Sequence, residues 1–261
     1  SPTGDYATLL STAVNSLSIT SDILDADGFT LMMWVYPTAN NSYIFKTTDN
    51  TAYLQIQSNS KLRFQAFNVN VTNNAIVSAS NVALNDWSLI TITGSVSNGL
   101  KLYIDDVEDA TNSMVASNNV IGKTWDINST LLGSQACFRS WDRELDASQV
   151  SAHYAWDETD PLTIGAVAHS AMTDSQKVGL LYCSELVQDN PYDGSEYSDL
   201  SGNGVLSTNN GTTLTGEEIQ IYTDVNDLPS NVPTIVTSNV NSLNGTTQGY
   251  TVADDPALTS A

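Results

Sequence analysis

The sequence predicts an all-β chain folded as an antiparallel β-sandwich of the jelly-roll kind. Three observations carry this. Apolar and polar residues alternate with a period of two along much of residues 5–133. The alternating runs are short and are separated by Asp, Asn, Ser and Gly turns at roughly 8–12-residue spacing. Helical spacing is convincing in only one stretch of the first half, Glu144 to Tyr154.

The alternation is clearest from Asn85 to Glu108. Trp87, Leu89, Thr91 and Thr93 share one face, and Ser88, Ile90 and Ile92 the other. Leu100, Leu102 and Ile104 then alternate with Lys101, Tyr103 and Asp105. Ser97-Asn98-Gly99 between the runs tolerates positive φ, so a hairpin is expected, and Asp105-Asp106 turns the chain again. In chain order, residues 5–20 read as short strands with a Ser/Asn turn, and residues 21–28 as a loop. Phe29 to Pro37 is a strand apolar on both faces, as in the middle of a sandwich, ended by Pro37. Ser42–Thr47, Ala52–Ser58 and Lys61–Asn68 follow as strands, with Asn74–Ser80 a further candidate, and Leu131-Leu132-Gly133 opens a last one. Leu145, Val150 and Tyr154 mark the short helix.

The chain carries 29 acids against 8 bases, a net charge of −21, and every base lies between Lys46 and Lys177. A surface so poor in cations cannot neutralise phosphates, which argues against nucleic acid as a partner. It favours solubility and divalent cations. No run approaches the ~18 uncharged apolar residues of a membrane span. The opening Ser1-Pro2-Thr3-Gly4 shows no signal-peptide pattern, whether or not one has been removed. Abundant Ser, Thr, Asn and Asp with few Lys fits an extracellular or surface-displayed protein. Cys137 and Cys183 sit in apolar strand-like runs, and two readings stand: one disulfide between them, or two buried thiols. With His153 and His169 the only histidines, zinc has few ligands to use.

Six signals occur in a fixed order: Phe29-Thr30 with Trp34-Val35-x-Pro37, Trp87 opening a strand, Leu102-Tyr103-Ile104-Asp105, Leu132-Gly133, Trp141-Asp142-Arg143-x-Leu145, and a short helix ending His153-Tyr154. In this order they resemble the laminin-G or concanavalin A-like lectin superfamily. The resemblance covers roughly residues 5–156, and residues 1–160 are taken as the sandwich domain. There are departures. Asp105-Asp106 stands where the family has Asp-Gly, and the segment before the Arg-x-Leu motif is compressed into Ser134–Phe138. The family's opening strand and Asp-x-(Ser/Thr)-Gly-Asn-Gly turn are displaced to the far end, as Val178 to Leu186, Asp199-Leu200-Ser201-Gly202-Asn203-Gly204 and Leu206 to Thr213. Met172 to Lys177 could form a capped first helical turn before them. Residues 161–218 are therefore expected to complete the sandwich, within the chain or in a neighbouring copy. Loop-closure cost favours the first; the second would propagate head to tail. Residues 219–261, rich in Pro, Ser, Thr and Asn, read as an extended tail.

The resemblance implies sugar binding, catalysis or neither. The family's hydrolases place Glu-x-Asp-x-(x)-Glu on one strand, and no such run occurs, so a non-enzyme is expected. The family often binds calcium through Asp and backbone carbonyls. Asp22, Asp25 and Asp27 are the first candidate ligands, ahead of Asp105 with Asp106 and Asp199 with Asn203; the bland reading of all of them is solvated turns. A sugar needs an aromatic platform beside Asn or Asp side chains. Trp125 with Asn128 is that candidate, since Trp34, Trp87 and Trp141 read as core; Tyr43 and Tyr192 come next. Sequons at Asn40, Asn70, Asn128, Asn210 and Asn244 are no more than so Asn-, Ser- and Thr-rich a chain carries by chance. The expected function is a non-enzymatic, surface-exposed lectin-like module for adhesion or glycan recognition. Its partners would be glycans or cell-surface and virion proteins. The alternative is a structural subunit or decoration of an extracellular filament or virion, a homo-oligomer built by strand donation; a polysaccharide hydrolase is third.

Overall fold

Why residues 29–37 are apolar on both faces is answered by what lies on either side of them. In the computed structural model they form β3 (Gly28–Pro37), between β8 (Ser88–Ser95) and β12 (Gly133–Trp141), with antiparallel pairing on both edges. Leu31, Met33 and Val35 face the interior with Ile90 and Ile92, whereas Met32 and Trp34 face outward with Leu89 and Tyr103. The outward face is not left to water. Helix α1 (Ala147–Thr159) lies over it, with Val150 in that second cluster and Tyr154 stacked on Trp34 at 5.8 Å between ring centroids. The structure describes residues 8–10, 16–20, 22–67, 73–116, 120–127, 130–159, 172–184, 199–205, 207–210 and 213–215.

The first sheet continues from β8 through β9 (Gly99–Ile104) to β10 (Val107–Asn112) at one edge, and from β12 to β13 (Leu180–Ser184) at the other. The expected hairpin pairs Ile90 with Ile104 through Ser95 with Gly99, and Gly99 takes the positive φ of 83° its turn requires. Asp105 has φ of 58°, a costly value for a residue with a Cβ. Its side chain compensates: the Leu89 N–H donates to Asp105 Oδ1 at 3.0 Å while the Asp105 N–H donates to Leu89 O at 2.7 Å. β10 was missed in the sequence because V-E-D-A-T-N at an exposed edge has no buried face to impose a pattern.

The second sheet, opposite, has the order β14 (Ser207–Asn210), β2 (Ser16–Thr20), β11 (Thr124–Ile127), β4 (Ser42–Thr47), β5 (Ala52–Ile56), β6 (Lys61–Phe67), β7 (Asn73–Asn81). A separate pair joins β1 (Thr8–Leu10) to β15 (Thr213–Thr215). Between the sheets an aromatic chain runs through Phe29, Phe64, Phe45, Phe138 and Tyr182, each ring 5.6–6.4 Å from the next. Helix α1 starts three residues later than the spacing suggested, because Asp146 caps it: Gln149 N–H donates to Asp146 Oδ1 at 2.9 Å, and Asp146 N–H to Gln149 Oε1 at 3.1 Å.

The displaced opening pairs within its own chain. After a short helix α2 (Asp174–Lys177), β13 runs antiparallel to β12 from Phe138 opposite Ser184 to Trp141 opposite Leu180, and β14 runs antiparallel to β2. Strand donation from a neighbour therefore has no open edge at β12 to fill. The D-L-S-G-N-G turn fastens this segment. Asp199 Oδ1 accepts from the N–H groups of Cys183 and Ser201 at 3.1 and 2.9 Å, and Oδ2 from Ser201 Oγ and Val205 N at 2.8 and 3.0 Å. Asn203 Nδ2 donates to the carbonyls of Leu180 and Leu181. Ser1–Glu218 forms one compact unit; residues 219–261, expected as a tail, lie outside the described residues. Among the described residues no helix is long and apolar enough to cross a membrane.

Of the two readings left open for Cys137 and Cys183, the structure shows the second: both are buried thiols in the cluster under α1. Cys183 stands opposite Arg139, not Cys137, in the β12–β13 register. Arg139 and His153 are buried there too, with Arg139 Nη1 3.5 Å from His153 Nδ1 and 3.9 Å from Met32 Sδ. Burial, and then the nearby charges of Arg139 and Arg143, hold the His153 imidazole well below its usual range, so it is folded in as a neutral ring.

Two predictions follow from these contacts. Replacing Asp199 by Ala leaves several N–H groups unpaired and should cost about 2–3 kcal/mol, a drop of roughly 5–10 °C in Tm by calorimetry; a loss under about 0.5 kcal/mol would show the turn to be passive. For His153 the folded pKa lies below the unfolded value of about 6.5, so the unfolded chain takes up more protons. Its stabilisation is complete above about pH 6.5 and is lost as pH falls below that. Tm should drop between pH 7.5 and 5.5, and His153→Gln should flatten that drop; an unchanged slope would clear His153 of responsibility.

Candidate functional site

With the central strands of the six-stranded sheet covered on both sides, the outward face of the seven-stranded sheet is where polar and aromatic side chains collect. Strand geometry selects them. In β5, Ala52, Leu54 and Ile56 point into the core, so Tyr53 and Gln55 point out, half-buried. In β6, Leu62, Phe64 and Ala66 point in, which turns Arg63 and Gln65 out. β4 has a bulge between Tyr43 and Phe45, and that extra residue lets Tyr43 and Lys46 share the outward face while Ile44 and Phe45 are buried. β11 gives Asp126, between the buried Trp125 and Ile127, and β2 gives Ser18.

Register aligns these side chains into two rows across the strands. One runs Ser18, Asp126, Lys46, Tyr53, Gln65; the other Tyr43, Gln55, Arg63, Val77. The rows are tied together. Tyr43 and Tyr53 meet edge to face, ring centroids 5.5 Å apart at 88°. Tyr53 Oη donates to Gln65 Oε1 at 2.9 Å, and Arg63 Nη2 donates to the same oxygen. Lys46 Nζ lies 5.5 Å from the centre of the Tyr43 ring and donates to Asn50 Oδ1 at 3.2 Å. Ser18 Oγ donates to Asp126 Oδ1 at 2.8 Å. The result is a shallow platform of two phenol rings bordered by amide, guanidinium, ammonium and carboxylate groups.

Several expected site residues lie elsewhere. Trp125 is 0 % exposed, its ring 5.8 Å from Phe45 between the sheets, so it offers no face to a sugar. The run taken as a loop is a four-residue strand whose alternation puts the indole inward. Asn128 and Tyr192 lie outside the described residues. Trp87, read as core, is half-buried and tilts against Tyr36 at 5.6 Å.

The Asp22, Asp25 and Asp27 calcium cluster is not assembled. Asp22 Oδ1 accepts from the Gly122 N–H, and Asp25 Oδ1 from the Asp27 N–H at 2.9 Å. Among the described residues no three Asp, Glu, His or Cys side chains form a group that could hold a metal ion. The other candidates are likewise occupied: Asp105 by Leu89, Asp106 by the Ser151 hydroxyl at 2.9 Å, Asp199 by its turn. These carboxylates hold backbone and hydroxyl donors, the ordinary work of Asp in turns. Asp22 also lines an open cleft of about 470 Å³ with Asp142, Lys177, Ser201 and Asn203.

Tyr53, Gln55, Arg63 and Gln65 were passed over in the sequence, although A-Y-L-Q-I and K-L-R-F-Q-A show them as the outward members of alternating pairs. The missing information was register, which alone sets one strand's outward residues beside the next strand's.

Comparison with known proteins agrees with this architecture. No curated protein sequence matches the chain. Among solved structures, a candidate carbohydrate-binding protein from Bacteroides ovatus ATCC 8483 aligns with a TM-score of 0.56 at 12% identity, over 81% of this chain and 59% of that one. A heptameric SAP-like pentraxin from Limulus polyphemus aligns with a TM-score of 0.45 at 19% identity, over 56% of this chain and 79% of that one. At 12% identity the likeness to the Bacteroides ovatus protein is one of fold. The profile of the concanavalin A-like lectin/glucanases superfamily matches residues 11–151, more than half of the sequence. The chain belongs to the concanavalin A-like lectin/glucanase superfamily.

Proposed function

We propose that the chain is a non-catalytic lectin-like module, displayed at a surface or secreted, that binds a glycan along the two rows of the seven-stranded sheet. The observation that carries this is the half-buried Tyr43–Tyr53 pair set beside Gln55 and Arg63 on the outward face, with Gln65 buried beneath as the acceptor that holds Tyr53 and Arg63. Sugar C–H faces stack on aromatic rings, and planar amide and guanidinium groups bind vicinal hydroxyls. A platform two rows deep and several strands wide suits a run of sugars better than a single residue. Hydrolysis by the usual route needs two carboxyl groups flanking the bond. On this face, among the described residues, Asp126 is the one carboxylate, which supports binding over turnover.

The test is a glycan array followed by calorimetric titration of the hits. Tyr53→Ala and Tyr43→Ala should each weaken binding about tenfold or more, some 1.4 kcal/mol, while leaving Tm nearly unchanged. Trp125→Ala should instead cost about 3–5 kcal/mol of stability, since it empties a core site. Full affinity in the Tyr43→Ala, Tyr53→Ala double variant would remove the site, and an array without hits would remove the function.

A further inference from the structure

The distribution of charge narrows the ligand. Residues 42–81, which build β4 to β7, contain three bases, Lys46, Lys61 and Arg63, and one acid, Asp49. Of the chain's 8 bases and 29 acids, that leaves 5 and 28 for everything else, so this stretch carries +2 while the remainder carries −23. Even Asp49 is spoken for. Burial works against its charge, but the Lys123 ammonium and the Thr51 hydroxyl hold its carboxyl well below the usual range.

Most of the cations are committed elsewhere. Lys101 pairs with Glu144 at 2.7 Å, and Lys123 with Asp49. Lys61 donates to the carbonyls of Ser78 and Ala79, and Arg143 to that of Val178. Arg139 is buried under α1, and Lys177 stands in the cleft with Asp22 and Asp142. Lys46 and Arg63 are different. Both lie half-exposed on the platform, and among the described residues both are held by neutral groups, Asn50 and the Tyr43 ring for one and Gln65 for the other. Asp126, the cross-strand neighbour of Lys46 in the first row, is the opposing charge on the face, and one of its oxygens accepts from Ser18.

Resting on the glycan-binding reading above, we infer that the glycan this platform takes is anionic, a chain bearing carboxylate or sulfate groups, with Arg63 and Lys46 as the residues that select it. A guanidinium fork matches a carboxylate or sulfate with two parallel hydrogen bonds, and an ammonium supplies a compact second charge. β4 and β6 flank β5, so the two cations stand two strand spacings apart, about 10 Å across the sheet. That separation suits charges on different sugars of one chain. The rest of the surface, strongly negative, repels such a polymer and leaves this face as the place where it can approach.

The experiment titrates the intact protein with three polymers of similar length: a neutral glucan, a polyuronate and a sulfated glucan. The expected result is binding of an anionic polymer about tenfold or more tighter than the neutral one at low salt, weakening as NaCl rises from about 50 to 300 mM. The polyuronate and sulfate arms identify which acid group is preferred. Replacing Lys46 and Arg63 together by Gln should collapse the anionic-to-neutral preference toward one. Lys177→Gln, the same charge change off the platform, should keep the preference. Equal or tighter binding of the neutral glucan would overturn the anionic inference and leave the glycan reading standing. An anionic preference that survives the Lys46 and Arg63 replacements would overturn their assignment. Binding of none of the three polymers, with no hits on the array, would overturn the glycan reading itself.

Discussion

β3 is buried on both faces, and that constraint decides where a ligand can sit. Leu31, Met33 and Val35 require a second sheet on one side, and Met32 and Trp34 require a cover on the other. The cover is supplied by α1, whose Val150 joins Leu145 and Met172 in the same outer cluster. Burial at about 25 cal/mol per Å² makes exposing either face prohibitive. With the central strands of the six-stranded sheet covered, the seven-stranded partner meets the solvent, and alternation on it sorts Tyr43, Lys46, Tyr53, Gln55, Arg63 and Gln65 outward.

The late segment is held by the same logic. β12 without a neighbour would present a row of unpaired backbone groups. β13 covers that edge, and Tyr182 sinks into the core between the sheets while Cys183 packs outside. A four-residue or five-residue strand contributes little by itself, so the turn that follows it must pin it down. Asp199 does so by gathering donors from both β13 and the residues that lead to β14. The motif that looked like a calcium candidate is a structural clip, and its Asn203 closes the other side by donating to β13 carbonyls.

Where hydrophobic alternation was long, it placed the strands well: Ser42–Thr47 is the strand expected, and Phe29–Pro37 begins one residue earlier as β3. Where an element is four residues long, as T-W-D-I is, two alternations cannot be told from a loop, and Trp125 was placed in a loop as a result, although it is core. The site was less legible than the fold for a related reason. Tyr43 could be suspected because its ring had no evident core role, but Tyr53, Gln55, Arg63 and Gln65 become a site only when register sets them side by side. The Asp-rich loop is ambiguous in the sequence for another reason: turn formers and hard-metal ligands are the same residue types.

The acidity of the chain has a structural origin that separates it from the ligand question. Asp25, Asp49, Asp105, Asp146 and Asp199 each accept backbone N–H bonds at a turn or helix start, where a carboxylate is the favoured side chain. A fold with many strands needs many such turns, so acids accumulate at the ends of the sandwich. β4, β5, β6 and β7 contain none, the strand acids lying in β10 (Glu108, Asp109) and β11 (Asp126). Bases, few as they are, can therefore dominate a sheet face without altering the protein's net sign. Net charge reports on turn chemistry, and local charge on the platform reports on what the platform can hold. The two point in opposite directions because the acids gather at turns while β4 to β7 carry none.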